Sequence, residues 1–230
     1  MNSADFTLLF DLDGTLVDTD ILHFGAYQTL LADYQRSITM QTYKQRIMGA
    51  PNDAIMLELF PELPQDARRR LSEHKEELFR AAIMELEPMP GVLALFEWAE
   101  ARHVPIAVVT NAPRANAELM LKGLGLAKRI NTLVIGEELP RGKPDPLPYL
   151  TGLQRLGGRA ERALAFEDSL SGVRAASAAG IHTFGIGTSL PEAALLGAGA
   201  HEAINDFTAV ALWRRLNALE LGTVTEASRA

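Results

Sequence analysis

Short apolar runs of four or five residues recur at positions 6–10, 105–109, 132–135, 163–166 and 183–186, and helical patterns separate them. Runs of that length, bounded by turn-prone or polar residues, read as buried strands. Strands that alternate with helices are joined by crossovers, so they lie parallel and both faces of the sheet are covered. The pattern predicts an α/β fold with a Rossmann-like core: a parallel sheet of at least five strands between two layers of helices. Ligands of such sheets sit outside the carboxyl ends of the strands. Among the helical patterns, Val92, Leu95, Phe96 and Ala99 share a face, as do Leu119, Met120 and Leu124, and then Leu170, Val173 and Ser177.

The stretch from about residue 20 to residue 87 breaks the alternation, because its patterns are helical throughout. Phe24, Tyr27, Leu31 and Tyr34 form one stripe; Ala67, Leu71, Leu78, Ala82 and Ile83 form another on a longer helix. Pro88-Met89-Pro90-Gly91 ends the insertion. The expected division is an α/β core of residues 1–16 and 90–230 and a small all-helical cap domain of residues 17–89, inserted after the first strand. A helical module tethered beside the sheet's carboxyl edge is placed to act as a moving lid. No internal repeat is found, and residues 222–230 are expected to fray.

The first strand closes on Asp11-Leu12-Asp13-Gly14. Two carboxylates so close repel, so the pair implies either a metal or one raised pKa. An isolated Asp-x-Asp-Gly is also a common acidic turn. The other strand ends distinguish this one: Thr110-Asn111 closes the second, Gly142-Lys143-Pro144-Asp145 follows the third, and Glu167-Asp168-Ser169 closes the fourth. In a parallel sheet these termini converge on one edge. Carboxylates, a hydroxyl and an ammonium gathered in one crevice suit phosphoryl transfer, which needs a nucleophile, a proton carrier and cations for a dianionic phosphate. Hard oxygen donors of this kind suit Mg²⁺.

Composition narrows the partners. The formal net charge is −7 and the basic residues are interspersed with acidic ones, so the footprint of a nucleic-acid binder is missing. The run Arg68-Arg69-Arg70 lies beside Asp66, Glu73, Glu76 and Glu77 and reads as a solvated helix face. Without cysteine there are no disulfides or thiolate metal sites, and His23, His74, His103, His182 and His201 have no zinc spacing. Residues 6–10 are too short to span a bilayer and run straight into two aspartates. A cytoplasmic protein acting on a small phosphorylated metabolite is expected, as a monomer or weak homodimer without membrane or nucleic-acid partners.

Asp11-Leu12-Asp13-Gly14-Thr15-Leu16-Val17-Asp18-Thr19 resembles the first motif of the haloacid dehalogenase superfamily. Thr110-Asn111 resembles its second, Lys143-Pro144 its third, and Phe166-Glu167-Asp168-Ser169 with Gly172, Ala175, Ala176, Ala179 and Gly180 its fourth. The helical insertion is similar to the cap of the β-phosphoglucomutase-like branch, which includes sugar-phosphate and phosphoglycolate phosphatases. The resemblance implies that Asp11 is the nucleophile and Asp13 the acid/base, with Thr110 and Lys143 holding the phosphoryl group. It puts Mg²⁺ on the Asp11 carboxylate, the Asp13 carbonyl and Asp168, with Glu167 close by, directly or through water. The proton-donating Asp13 argues against halide displacement.

Substrate contacts implied in the same way are Asn111 and Ala112 from the core and His23, Gly49, Asn52 and Lys75 from the cap. Where the mutase pattern has an arginine three residues after its glycine, this chain has Gly49-Ala50-Pro51-Asn52. Without that bidentate phosphate clamp, hydrolysis is favoured over transfer to a second sugar hydroxyl. A phosphosugar mutase is the alternative, and a catalytically silent metabolite-binding protein a further one. Asn52 is also suited to cap a helix beginning near Asp53, and Gly123-Leu124-Gly125 to end one.

Overall fold

The computed structural model describes residues 6–220, so the expectation for 222–230 falls outside the described residues. Six parallel strands, β1 (Thr7–Phe10), β2 (Ile106–Thr110), β3 (Thr132–Ile135), β4 (Ala163–Glu167), β5 (His182–Ile186) and β6 (Glu202–Ile204), form one sheet in the order β3-β2-β1-β4-β5-β6. The five expected strands are present within a residue at each end. The sixth escaped the apolar-run criterion because Glu-Ala-Ile is only three residues long and opens on a charge.

Along β1 the side chains alternate between two cores, as the two-residue period of a strand requires. Leu8 and Phe10 join a cluster with α5 (Val92–Ala101), α6 (Arg114–Gly123) and α10 (Val210–Glu220). Leu9 joins the opposite cluster with α7 (Leu147–Leu156) and α8 (Leu170–Ala178). Within the first core, Phe10 stacks on Phe166, and Phe166 on Phe184, at centroid distances of 4.7 and 5.5 Å. The strands are therefore covered on both faces, and what remains accessible is their ends.

Register decides which ends meet. Phe10 pairs with Val108 and with Phe166, so the residues after them, Asp11, Val109-Thr110 and Glu167-Asp168, emerge side by side at the carboxyl edge. Gly123 does end α6, with Gly125 in the left-handed region at φ +71°. Leu119 is 37% exposed, so the buried face of α6 is Asn116, Ala117, Met120 and Leu121 instead.

Between β1 and α5 the chain forms α1 (Asp20–Ala32), α2 (Met40–Thr42) running into a π-helical turn at Tyr43–Ile47, α3 (Asn52–Leu59) and α4 (Gln65–Ala82). They bury a core of their own around Tyr27, Leu30, Ile47, Met56, Phe60 and Leu71. The expected stripe on α4 was only partly right: Leu71 is buried, but so are Lys75, Glu76 and Phe79, while Ala82 is exposed. Charged groups lie on that face because it looks onto the carboxyl edge of the sheet as well as onto its own helices.

Candidate active site

Asp11 leaves β1 with its backbone N–H tied to the Phe166 carbonyl at 3.0 Å, which holds it next to the end of β4. Lys143 arrives from the loop after β3 and is buried, with a cis peptide to Pro144. Its ammonium donates to Asp11 Oδ1 at 2.5 Å and to the Val109 carbonyl at 2.7 Å, and lies 2.5 Å from Glu167 Oε1. Three N–H donors thus have three acceptors. Burial works against the cation, but the charges of Asp11 and Glu167 outweigh it and hold Lys143 above the ordinary lysine range.

Asn111 clamps this arrangement. Its side-chain oxygen accepts the Lys143 N–H at 3.2 Å and its amide nitrogen donates to the Lys143 carbonyl at 3.3 Å. It lines the crevice, but its amide is engaged by the Lys143 backbone. Thr110 is buried and its Oγ1 accepts the Ala112 N–H at 3.0 Å, which leaves the hydroxyl proton for an anion.

Asp13 faces the cap. It accepts the Thr19 hydroxyl at 2.6 Å and His23 Nε2–H at 3.1 Å. His23 Nδ1 in turn accepts from Lys75 Nζ at 2.8 Å, an arrangement that fixes the ring's tautomer. The His23 ring stacks on Phe79 at 3.9 Å. Burial pushes the Asp13 carboxyl up, yet the His23 contact, the Thr19 bond and the Lys75 charge outweigh it and hold it below the usual range. Lys75 also donates to Glu76 Oε1 at 3.0 Å and lies 4.6 Å from the Tyr27 ring centroid.

Asp11, Glu167 and Asp168 each offer an oxygen, all within 4.8 Å of one another, and all three residues are buried. This cluster fits a hard divalent cation by its donor chemistry. Asp168 receives the Thr15 hydroxyl at a long 3.5 Å. Burial and the charges of Asp11, Glu167 and Asp20 push its carboxyl well up, and burial above all pushes Asp11 up to about 8. A cation would relieve that repulsion. Glu167 is better satisfied, taking the Tyr149 hydroxyl at 2.7 Å and the Ser169 hydroxyl at 3.3 Å besides Lys143. Two glycines make room: a Cβ on Gly14 would lie 2.0 Å from Asp168 Oδ2, and one on Gly172 would lie 2.0 Å from the Glu167 carboxylate.

The structure brings Asp11, Asp13, His23, Gly49, Asn52, Lys75, Thr110, Asn111, Ala112, Lys143 and Asp168 around one crevice, with Glu167 directly behind it. Gly49 touches the core through its carbonyl, which accepts the Ser171 hydroxyl at 2.6 Å. Asn52 does not cap α3: Pro51 holds that position in extended conformation, and Asn52 is the first helical residue. Its amide donates to Glu137 Oε1 at 3.2 Å instead.

Sequence reasoning missed Asn116, Tyr149 and Glu137, and Glu76, expected on a solvated helix face, is buried against α6 instead. Asn116 donates to Glu76 Oε2 at 2.6 Å and accepts from Arg80 Nη1 at 2.8 Å, bridging α6 and α4. Glu137 follows closely on the end of β3, but none of these residues belongs to a motif, so spacing carried no signal for them.

A doubly wound sheet whose carboxyl edge carries a lysine-bound carboxylate cluster, closed over by inserted helices, defines a capped α/β hydrolase. The chain belongs to the haloacid dehalogenase-like hydrolase family, whose model matches residues 8–186. It is 36% identical over 200 residues to a phosphorylated carbohydrates phosphatase of Thermotoga maritima, covering 84% of this chain and 91% of the relative. It is 31% identical over 176 residues to the fructose-1-phosphate phosphatase YqaB of Escherichia coli, covering 76% and 92%. The crystal structure of β-phosphoglucomutase from Clostridium difficile superposes with a TM-score of 0.83 at 18% identity, covering 95% of this chain and 99% of that one, a likeness of fold.

Proposed function

We propose that this chain is a Mg²⁺-dependent phosphatase that hydrolyses small phosphorylated metabolites, sugar phosphates foremost, through a phosphoaspartate on Asp11. The observation that carries the reading is the pairing of roles at one crevice: Asp11 held by Lys143, and Asp13 held apart from it by Thr19 and His23. The two carboxylates stand in different environments, as a nucleophile and a proton carrier must. The names of the relatives, phosphatases of phosphorylated carbohydrates and of fructose 1-phosphate, support the substrate class.

Asp11, Asp168 and the Asp13 carbonyl would hold the magnesium ion, with Glu167 behind them. When bound, the ion supplies positive charge that offsets repulsion between the carboxylates and the phosphate. Thr110 binds a phosphoryl oxygen with its hydroxyl proton, and Lys143, whose donors are shared with Asp11, Glu167 and the Val109 carbonyl, holds the phosphoryl group by its charge. An ionised Asp11 oxygen attacks phosphorus while protonated Asp13 gives its proton to the leaving alkoxide, freeing the alcohol. Water then attacks the phosphoaspartate, and ionised Asp13 takes the water's proton, which restores both carboxyl groups and releases phosphate. The ionised Asp13 favoured in this closed arrangement is the form that activates water. A bound dianionic phosphate raises its proton affinity for the first half-reaction.

Asn52 in place of an arginine supports hydrolysis over a mutase reaction, because a neutral amide offers no clamp for a second phosphate. Residues 17–89 as cap and 1–16 with 90–230 as core go with this reading, with His23 and Lys75 as the cap's contribution. So does a cytoplasmic monomer or weak homodimer. No helix among the described residues is long and apolar enough to cross a membrane. The test is phosphate release from an aryl phosphate and from hexose phosphates. Release is expected with Mg²⁺, should stop with EDTA, and should fall by several orders of magnitude in Asp11→Asn. Turnover that survives the chelator or that substitution would defeat the proposal.

A further inference from the structure

The catalytic crevice holds about 100 Å³, well under the roughly 300–1,000 Å³ of small-molecule sites. It has room for a phosphoryl group and little more. Beside it, between α4 and the core turn Gly136–Glu138, lies a groove of about 680 Å³. Asn52, Glu76, Asn111 and Pro113 line both spaces, so the groove opens directly off the crevice and offers the adjoining room for a leaving group.

One polar pair spans the groove from cap to core: Asn52, at the start of α3, donates to Glu137 in the turn after β3. Glu137 is exposed to the groove, so one of its oxygens and the second amide proton of Asn52 remain for a ligand. A neighbouring carboxylate and amide present an acceptor and a donor, the complement of vicinal hydroxyls. The surrounding charge is unsuited to an anion. Asp53, Glu73 and Glu77 line the same groove. Its two guanidinium groups, Arg69 and Arg80, are outnumbered by the carboxylates of Asp53, Glu73, Glu76, Glu77 and Glu137. The Lys75 ammonium nearby is engaged by His23 and Glu76.

We propose that Glu137, paired with Asn52, is a specificity residue for the leaving group: it binds the hydroxyls of an uncharged polyol and repels a second phosphate or a carboxylate. The chain then selects monophosphates of neutral polyols over bisphosphates and phospho-carboxylates. This inference rests on the phosphatase reading above and adds the residue that sets its selectivity.

The full chain with Mg²⁺ is assayed for kcat/KM on an aryl phosphate, a hexose monophosphate, the corresponding hexose bisphosphate and phosphoglycolate. The wild type is expected to favour the monophosphate over the two substrates that carry a second anionic group by about tenfold or more, the scale of one like-charge contact. Glu137→Lys should bring that ratio to one or invert it, and the near-isosteric Glu137→Gln should move it part of the way. Ratios unmoved in both variants, or a loss equal for all substrates, would overturn the assignment while aryl phosphate hydrolysis still upholds the phosphatase. No hydrolysis of any substrate by the wild type would bring down both.

Discussion

Asp11 is the residue on which the local physics turns. Burial raises its proton affinity, the Lys143 charge lowers it, the Glu167 charge raises it again, and the balance lies near 8 against an ordinary 3.8. The native state therefore binds this proton more tightly than the unfolded chain does. The resulting stability is complete below about pH 4 and is lost as pH rises through about 8. Asp168 shifts in the same direction. A divalent cation competes with those protons, so its stabilising effect must grow with pH. In EDTA the melting temperature should decline between about pH 5 and pH 8, and added Mg²⁺ should raise it more at the alkaline end. A magnesium effect that stays flat across that range would remove the Asp11, Glu167 and Asp168 cluster as a cation site.

At the scale of elements, the outer edge of the sheet carries a second titrating arrangement, remote from the crevice. His182, which opens β5, donates from Nε2 to Glu202 of β6 at 3.0 Å and accepts at Nδ1 from Arg215 of α10 at 3.1 Å. Accepting that bond requires a neutral ring. Burial first, and then the Arg215 charge, lowers His182 to about 4 from an ordinary 6.5. Here the unfolded chain binds the proton more readily, so the contribution to stability is intact above about 6.5 and lost as pH falls through about 4. Thermal melts should show stability dropping as pH is lowered through that window, and His182→Gln should have the shallower slope. Equal slopes would mean that the ring titrates alike in both states. The arrangement joins three elements that meet only in the folded sheet, and no spacing in the sequence pairs His182 with Arg215.

At the scale of the whole molecule, the ties between cap and core include His23 to Asp13, Asp20 to Ser189, Ser171 to the Gly49 carbonyl, Asn52 to Glu137, and Asn116 to both Glu76 and Arg80. The last is the most deeply buried, with Asn116 fully enclosed and Glu76 5% exposed. Removing a partner from a buried charged group costs about 1–3 kcal/mol. Asn116→Ala should weaken the closed arrangement by that amount, seen as a fall in kcat/KM for hexose phosphates of roughly fivefold to a hundredfold. Its circular dichroism should match the wild type. An unchanged kcat/KM would mean that this contact has no part in holding the cap over the core.

By itself the sequence determined the layers and the edge. Apolar runs of strand length, alternating with helical stripes, leave a parallel sheet as the arrangement that buries both faces, and a parallel sheet sends all its carboxyl ends one way. Asp11, Asp13, Thr110, Glu167 and Asp168 were legible as residues of that edge because each sits just past a run whose hydrophobicity marks it. Lys143, farther along the loop after β3, stood out instead through the resemblance of Lys143-Pro144 to a family motif. Tertiary structure alone decided the rest. That Glu167 supports Lys143, that Asn111 clamps the lysine loop, that Lys75 and Glu76 are buried, and that Glu137 meets Asn52 all depend on how the cap settles on the core. Such contacts join residues far apart in the chain through a few hydrogen bonds across a polar gap, and periodicity, which records only which face of an element is apolar, carries no trace of them.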